Sequence, residues 1–531
     1  MKILFVSAEV APFSSVGGLS QVSYFLPRSL KRFGHDIRIF SAKYGVIDGS
    51  GGSQPAKKAW PMKLEYEGLQ VPIGNDEQAN RLTGQKDGHF LICNVKSSRA
   101  SRHDPLVYFL ENHEYFEMRA NVYQYSDDHV RFGLLSKGCL EWLLQQGTRV
   151  KGQRPRENQP AVLSPQPLAF SPDSWFPDII HLNDWHTAGL AEMIKTDPRY
   201  KSLNIPVLLT VHNFSHQGNG AYDFRYSPPE KKDRGEDPLP SLLDPKLIEK
   251  NILVRGIKYA DSINTVSKTH AEEILTSEYG EGIEDVLNKY KDKLSGILNG
   301  LDTKEFNPQT DSLIKYHFSW RSLNRRAENK TVLQREFKLP RKPGIPLLAI
   351  SGRMDRQKGL DLMVKSLPKL LANFDFQLVI LGGGDENFRQ FFGNLAVDYP
   401  DRVVCHLRPS FNLPRKIFAG ADFILIPSKF EPGGIVALEA LRYGCVPLVR
   451  RTGGLNDIVE DFNPQDKTGN GFSFTPYDPW AFYGAVVTAL TTYRDRDRWR
   501  RLVGNCLRED FSWDHSAHEY EELYRSLSKN P

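Results

Sequence analysis

A chain of 531 residues is too long for a single hydrophobic core, and two large domains are expected. Apolar residues at 40% and charged residues at 25% exclude a disordered or fibrous chain. With 69 Lys plus Arg against 64 Asp plus Glu, the net charge of +5 is small and spread along the chain, so no nucleic-acid partner is implied. No run of about 18 apolar residues occurs, and residues 2–6 lead into a glycine turn instead of a signal-peptide core. No membrane association is expected, and the chain reads as cytoplasmic. Cys93, Cys139, Cys405, Cys445 and Cys506 are scattered, without the pairing or His spacing of a zinc site, and read as reduced thiols filling the core.

In chain order, the apolar run 3–6 predicts a strand. Val22, Phe25, Leu26, Leu30 and Phe33 then mark one face of a helix that stops at Gly34. Run 37–40 completes a βαβ start. Further apolar runs lie at 179–182, 207–211, 347–350, 376–381, 423–426 and 446–449. Runs that are largely apolar, without regular alternation, predict parallel strands covered on both faces, which is the α/β class. Segment 145–174, rich in Gln, Pro, Arg and Ser, reads as a mobile surface insertion, and 227–239 as another loop. A polar helical stretch at 319–336 and the Pro/Lys-rich 339–343 separate the halves, and the strand-helix grammar restarts near Pro346. The expectation is two Rossmann-like doubly wound domains, 1–310 and 311–510, facing a central cleft. A last segment, 511–531, has helical periodicity over 515–527 and is expected to cross back to the first domain.

Each half carries a Gly-Gly-Leu where a strand end meets a helix start: Gly17-Gly18-Leu19 and Gly453-Gly454-Leu455. Such a turn either exposes amides to a phosphate or is packing punctuation, and a full G-x-G-x-x-G signature is absent. Arg353 and Lys358 follow a buried strand; the pair suits a diphosphate, or is an ordinary solvated basic loop. Glu431 and Glu439 form E-x7-E, with Pro432 suggesting a helix entry. The two carboxylates would meet a sugar and a ribose, or else cap and decorate a helix. His186 stands with His181, Asn183, Asp184 and Trp185 at a strand exit, a grouping suited to sugar hydroxyls and ring stacking, and His212-Asn213 follows the next strand. No Walker loop, H-E-x-x-H, nucleophile elbow or D-x-D metal pattern occurs in a suitable context, so hydrolase and kinase readings fall away.

Taken together, Ser7 to Pro12 before Gly17-Gly18-Leu19, His181 to His186, Thr210 to Asn213, Asn264 to Ser267, Gly296 to Asp302, Gln357 to Asp361, and Glu431 through Leu455 resemble the bacterial glycogen synthase and starch synthase family over nearly the whole length. The resemblance implies retaining glycosyltransferases of the GT-B type, here moving glucose from ADP-glucose to the non-reducing end of an α-1,4-glucan, with no metal or other cofactor. It further implies that Gly17, Gly18 and Thr452, Gly453, Gly454 and Leu455 hold phosphates and that Arg353 and Lys358 hold the leaving diphosphate. Glu439 would take the ribose, His186, Asn299 and Glu431 the donor sugar, and Asp127 would lie near the acceptor. Departures exist. Ser15 stands where the family's K-x-G-G-L has lysine, Gln21 where aspartate is common, and Gly433 where Cys or Ser is frequent. Loss of one charge-assisted contact would cost about 1.5 to 3 kcal/mol. Other readings are a related transferase using a UDP- or GDP-sugar, a nucleotide-sugar epimerase, and a silent glucan-binding protein. Oligomeric state is not legible.

Overall fold

All eight apolar runs form strands that are almost wholly buried, because each lies inside a parallel sheet with both faces covered. The computed structural model describes residues 1–47, 60–73, 89–119, 121–125, 127–148, 175–218, 251–408, 410 and 412–529. The expected insertion at 145–174 falls almost entirely outside these residues, and the 227–239 loop wholly so.

The chain divides into two compact units. Unit 1 comprises Met1–Thr265, Ile274–Ser295 and Ala517–Pro531; unit 2 comprises Val266–Glu273 and Gly296–Ser516.

In unit 1 the strands are β1 (Lys2–Val6), β2 (Asp36–Ala42), β3 (Lys63–Ile73), β4 (His89–Ser98), β5 (Leu106–Glu111), β6 (Ile179–Asn183), β7 (Val207–Val211), β8 (Ser262–Thr265) and β9 (Leu294–Gly296, whose last residue is counted in unit 2). They form a nine-stranded sheet in the order β3-β4-β5-β2-β1-β6-β7-β8-β9. From β5 to β8 every pairing is parallel, while β3 and β4 add an antiparallel extension. One face of that extension is open: Leu69 and Val71 are buried while Ile92, on the facing strand, is 56% exposed. The helix Gly18–Arg32 returns the chain from β1 to β2, and Gly34 behind it has φ +90°.

Unit 2 repeats the grammar with β10 (Leu347–Ser351), β11 (Gln377–Leu381), β12 (Val403–His406), β13 (Phe423–Ile426), β14 (Val446–Arg450) and β15 (Phe472–Phe474). Their order is β12-β11-β10-β13-β14-β15, with every pairing parallel. Strand order therefore reverses between β1 and β6 in unit 1 and between β10 and β13 in unit 2. Loops leaving the two strands at such a point diverge and open a crevice.

The last helix, Trp513–Lys529, is shared between the two units by sequence. Its portion from Ala517 packs into unit 1, where Tyr524 Oη pairs with His181 Nδ1 at 2.7 Å and Tyr520 Oη accepts from Asn264 Nδ2 at 2.9 Å. Among the described residues no helix is long and apolar enough to cross a membrane.

Candidate active site

In unit 1 the loops after β1 and β6 carry the expected residues, and one that the sequence did not flag. Glu9, two residues beyond the Ser7 amide that still bonds Phe40 O, turns its carboxylate under the glycine turn. Val16 and Gly17 donate their amides to Glu9 Oε2 at 2.6 and 3.3 Å. The amide of Gly17 expected to meet a phosphate thus already has an acceptor. Burial pushes the Glu9 carboxyl up to about 7, with Asp184 adding to the rise, while the two amides and the Tyr123 hydroxyl pull the other way. Ser15 is exposed, and its hydroxyl pairs with that of Ser20 at 2.8 Å.

After β6, His186 is enclosed by rings: Trp185 at 4.3 Å, Phe132 at 4.7 Å and Tyr123 at 4.8 Å between centroids. Burial, followed by the fields of His216 and Arg131, holds its imidazole well below the usual histidine range, so it is neutral at physiological pH. Its buried Nδ1 has no partner among the described residues, which leaves a polar atom for a ligand hydroxyl. Asp184 adopts φ +57° and accepts the His212 amide at 2.6 Å. Asp127 immediately precedes the helix Asp128–Thr148 that carries Phe132. It is fully buried, with Oδ2 accepting from Arg119 Nη2 at 2.9 Å and Oδ1 without a partner among the described residues.

In unit 2 the loops after β10 and β13 meet. Lys358 Nζ donates to Glu431 Oε2 at 2.6 Å, and the buried Ser428 hydroxyl donates to the same oxygen at 3.0 Å. Arg353 reaches outward, its side chain 67% exposed, with Nη2 donating to Gln357 Oε1 at 3.1 Å and Nη1 3.3 Å from Asp355. Asn299 is buried and its Oδ1 has no partner among the described residues; a Cβ at Gly433 would come within 3.0 Å of its Nδ2. Thus the absence of a side chain at Gly433 leaves room for this amide.

Pro432 does not begin the following helix, which runs Ile435–Arg442 behind Gly434 at φ +61°, because two glycines carry the chain round before helical geometry starts. Glu439 therefore sits in the second turn of that helix. Burial pushes its carboxyl up to about 7, with Glu305 adding to the rise and Arg415 opposing it. The second glycine turn is also occupied: Gly453 N and Thr452 Oγ1 donate to Glu273 Oε2 at 2.9 and 3.2 Å, and Gly454 N to the carbonyls of Glu431 and Pro432 at 3.0 and 2.9 Å. Leu455 N donates to Thr452 O at 3.1 Å. A phosphate approaching these amides must displace an internal acceptor.

Residues 2–289 match the starch synthase catalytic domain, and residues 334–502 match glycosyl transferases group 1. A glycogen synthase of Bacillus cereus (strain B4264) is 34% identical over 99% of this chain and 100% of its own length. The chain belongs to the glycogen and starch synthase family of glycosyltransferases.

A second member of this family, a glycogen synthase of Clostridium perfringens (strain 13 / Type A), is 35% identical over 100% of this chain and 99% of its own. The catalytic domain of starch synthase IV from Arabidopsis thaliana, solved bound to ADP and acarbose, superposes with a TM-score of 0.80 at 28% identity, covering 99% of both chains. Sucrose-phosphate synthase from Thermosynechococcus elongatus, at TM-score 0.55 and 16% identity, shares the fold. Sequence reasoning about this glycosyltransferase missed both carboxylates that hold the glycine turns, Glu9 and Glu273. A buried acid seven residues before a glycine turn is a usable signal for the first; nothing local marks Glu273, which lies 180 residues from Gly453.

Proposed function

We propose that the chain transfers glucose from ADP-glucose to the non-reducing end of an α-1,4-glucan with retention of configuration. The observation that carries this is the Lys358–Glu431 pair at 2.6 Å on the strand switch of unit 2, in a chain matched end to end by glycogen synthases. With one oxygen of Glu431 held by Lys358 and Ser428, the other is left for a hydroxyl of the donor sugar, and Asn299 Oδ1 for a second. Arg353, outward and extended, would clamp the diphosphate together with the Lys358 ammonium. As the bond from the anomeric carbon to the phosphate oxygen breaks, charge grows on that oxygen, and the two cations stabilise it. The acceptor hydroxyl attacks from the same face and passes its proton to the departing phosphate.

Glu439 would accept the two ribose hydroxyls, which replace the hydration its carboxylate loses on burial. His186, neutral and ring-bounded, would position the sugar through Nδ1. Asp127 would act on the acceptor side through Arg119 and not by direct contact. Gly17-Gly18 and Thr452 to Leu455 would hold phosphate oxygens. We assign the reaction to the cytoplasm, where the five unpaired cysteines would stay reduced.

ADP release from purified protein with glycogen and ADP-glucose tests this reading. Release is expected to require glycogen and to fall by a factor of roughly 100 or more in Arg353→Ala/Lys358→Ala. Ser15, which puts no cation on the first glycine turn, favours a second reading in which the donor is a UDP- or GDP-sugar. Release from UDP-glucose or GDP-mannose but not ADP-glucose would select it.

A further inference from the structure

The turn that opens the helix Gly18–Arg32 rests on a carboxylate that has no cation paired to it among the described residues. Glu9 is 1% exposed. Its Oε2 takes the amides of Val16 and Gly17, and its Oε1 lies 3.6 Å from where a Cβ on Gly17 would stand. From the other elements it faces the Tyr123 hydroxyl, the carboxyl of Asp184 and the ring of Tyr44, whose own hydroxyl is spent on Ala8 O at 2.8 Å. His212 and His216 lie behind Asp184, and both act on that carboxyl instead. Arg131 reaches the Tyr44 ring from 5.9 Å but is tied to Asp128 Oδ1 at 2.6 Å and to Tyr115 O at 2.7 Å. In the turn itself position 15 is an exposed serine paired with Ser20, where an ammonium would have offset the carboxylate.

We propose that Glu9 is a positioning residue whose proton gates the glycine turn: protonated, it lets the turn take a donor phosphate, and ionised, it repels one. The inference rests on the reading that Gly17-Gly18 meets the donor diphosphate. A phosphate on the exposed turn and an ionised Glu9 buried beneath it are like charges separated only by a backbone turn, and their repulsion couples anion binding to proton uptake. Protonation makes Glu9 a weaker, neutral acceptor, so the Val16 and Gly17 amides that Oε2 holds can turn to a phosphate oxygen. Since burial already holds this carboxyl near about 7, the gate operates in the neutral range. Tyr123 also packs on His186, so the same proton state fixes the ring that supports the proposed sugar ligand.

Calorimetric titration of ADP into the full chain at about pH 8, in buffers of different ionisation enthalpy, tests the coupling. ADP is itself fully ionised there, so any proton taken up goes to the protein. The expected result is uptake approaching one proton per ADP, with Kd rising by up to about tenfold per pH unit above neutrality. Glu9→Gln should abolish the uptake and flatten the pH profile. Ser15→Lys, a change on an exposed side chain, should shrink the uptake and tighten ADP at about pH 8 by roughly tenfold. ADP binding without proton uptake in the wild type, or uptake that persists in Glu9→Gln, overturns the proposal. Should Glu9→Gln fail to fold, uptake unchanged in Ser15→Lys overturns it alone. Failure of ADP to bind the wild type at any pH would instead strike the donor reading itself.

Discussion

The two Gly-Gly-Leu turns read alike in sequence and differ in what their glycines do. Both stand at a strand exit, both begin a helix, and in both a glutamate from elsewhere captures the first glycine's amide: Glu9 for Gly17 and Glu273 for Gly453. Gly17, however, is extended at φ −137° and ψ −165°, and a Cβ there would meet only Glu9 Oε1 at 3.6 Å. Gly453 has φ +45°, and a Cβ there would stand 2.4 Å from the Glu431 carbonyl oxygen. One glycine is a convenience of approach; the other is required by a backbone that carries a proposed site residue. A shared motif therefore does not imply a shared constraint.

The largest expected effect breaks the comparison at Gly453. Gly453→Ala must push away the Glu431 backbone and with it the Lys358 pair, and misplacement by about 1 Å is enough for a loss on the order of 100-fold in ADP release. Activity within a factor of about two of wild type would show that Glu431 need not stay where it is. Next come the two raised carboxyls, Glu9 in unit 1 and Glu439 in unit 2, each held near about 7. Between the ordinary glutamate value and that point, the folded protein keeps a proton that the unfolded chain has released, so stability falls as pH rises. The slope is roughly 1.4 kcal/mol per pH unit for each carboxyl. Denaturant unfolding between about pH 4.5 and 7 should lose one such slope in Glu9→Gln; an unchanged slope would contradict its burial as an acid.

A smaller effect tests unit 1 away from its turn. Tyr524→Phe leaves His181 Nδ1 buried without its partner and should lower unfolding stability by about 1 to 3 kcal/mol, with Tm as the measurement. The smallest effect is Gly17→Ala. Its Cβ has ordinary room, so activity should change by no more than about threefold, and a loss comparable to that of Gly453→Ala would mean that the two turns are equivalent after all.

Much of the fold was legible because parallel strands buried on both faces are mostly apolar, so β1, β2, β6, β7, β10, β11, β13 and β14 announce themselves despite buried polar residues such as His181 and Gln377. Edge and antiparallel strands need be apolar only on one side, and β3 and β15 carry no such run, while β4 carries a short one at 90–93. β5, with Leu106 to Leu110 all apolar, carried the signal and was passed over. Candidate site residues were chosen at strand exits, since the end of each buried run marks where a loop leaves the sheet. Pro432 misled because a proline ahead of a helix and a proline ahead of two glycines look alike until the backbone is traced. Glu9 and Glu273 went unnoticed because a carboxylate gains its role from the amides it faces, and those lie on other elements.

By itself the sequence determined the α/β class, the two repeats of strand-helix grammar and the family, since periodicity and ordered motifs are properties of the chain. Tertiary structure alone decided that Lys358 pairs with Glu431, that His186 is a neutral ring among rings, and that the glycine amides are already occupied. Those outcomes depend on which strands become neighbours at the reversal of sheet order. No local pattern encodes the distance between residues 73 apart along the chain that end 2.6 Å apart in space.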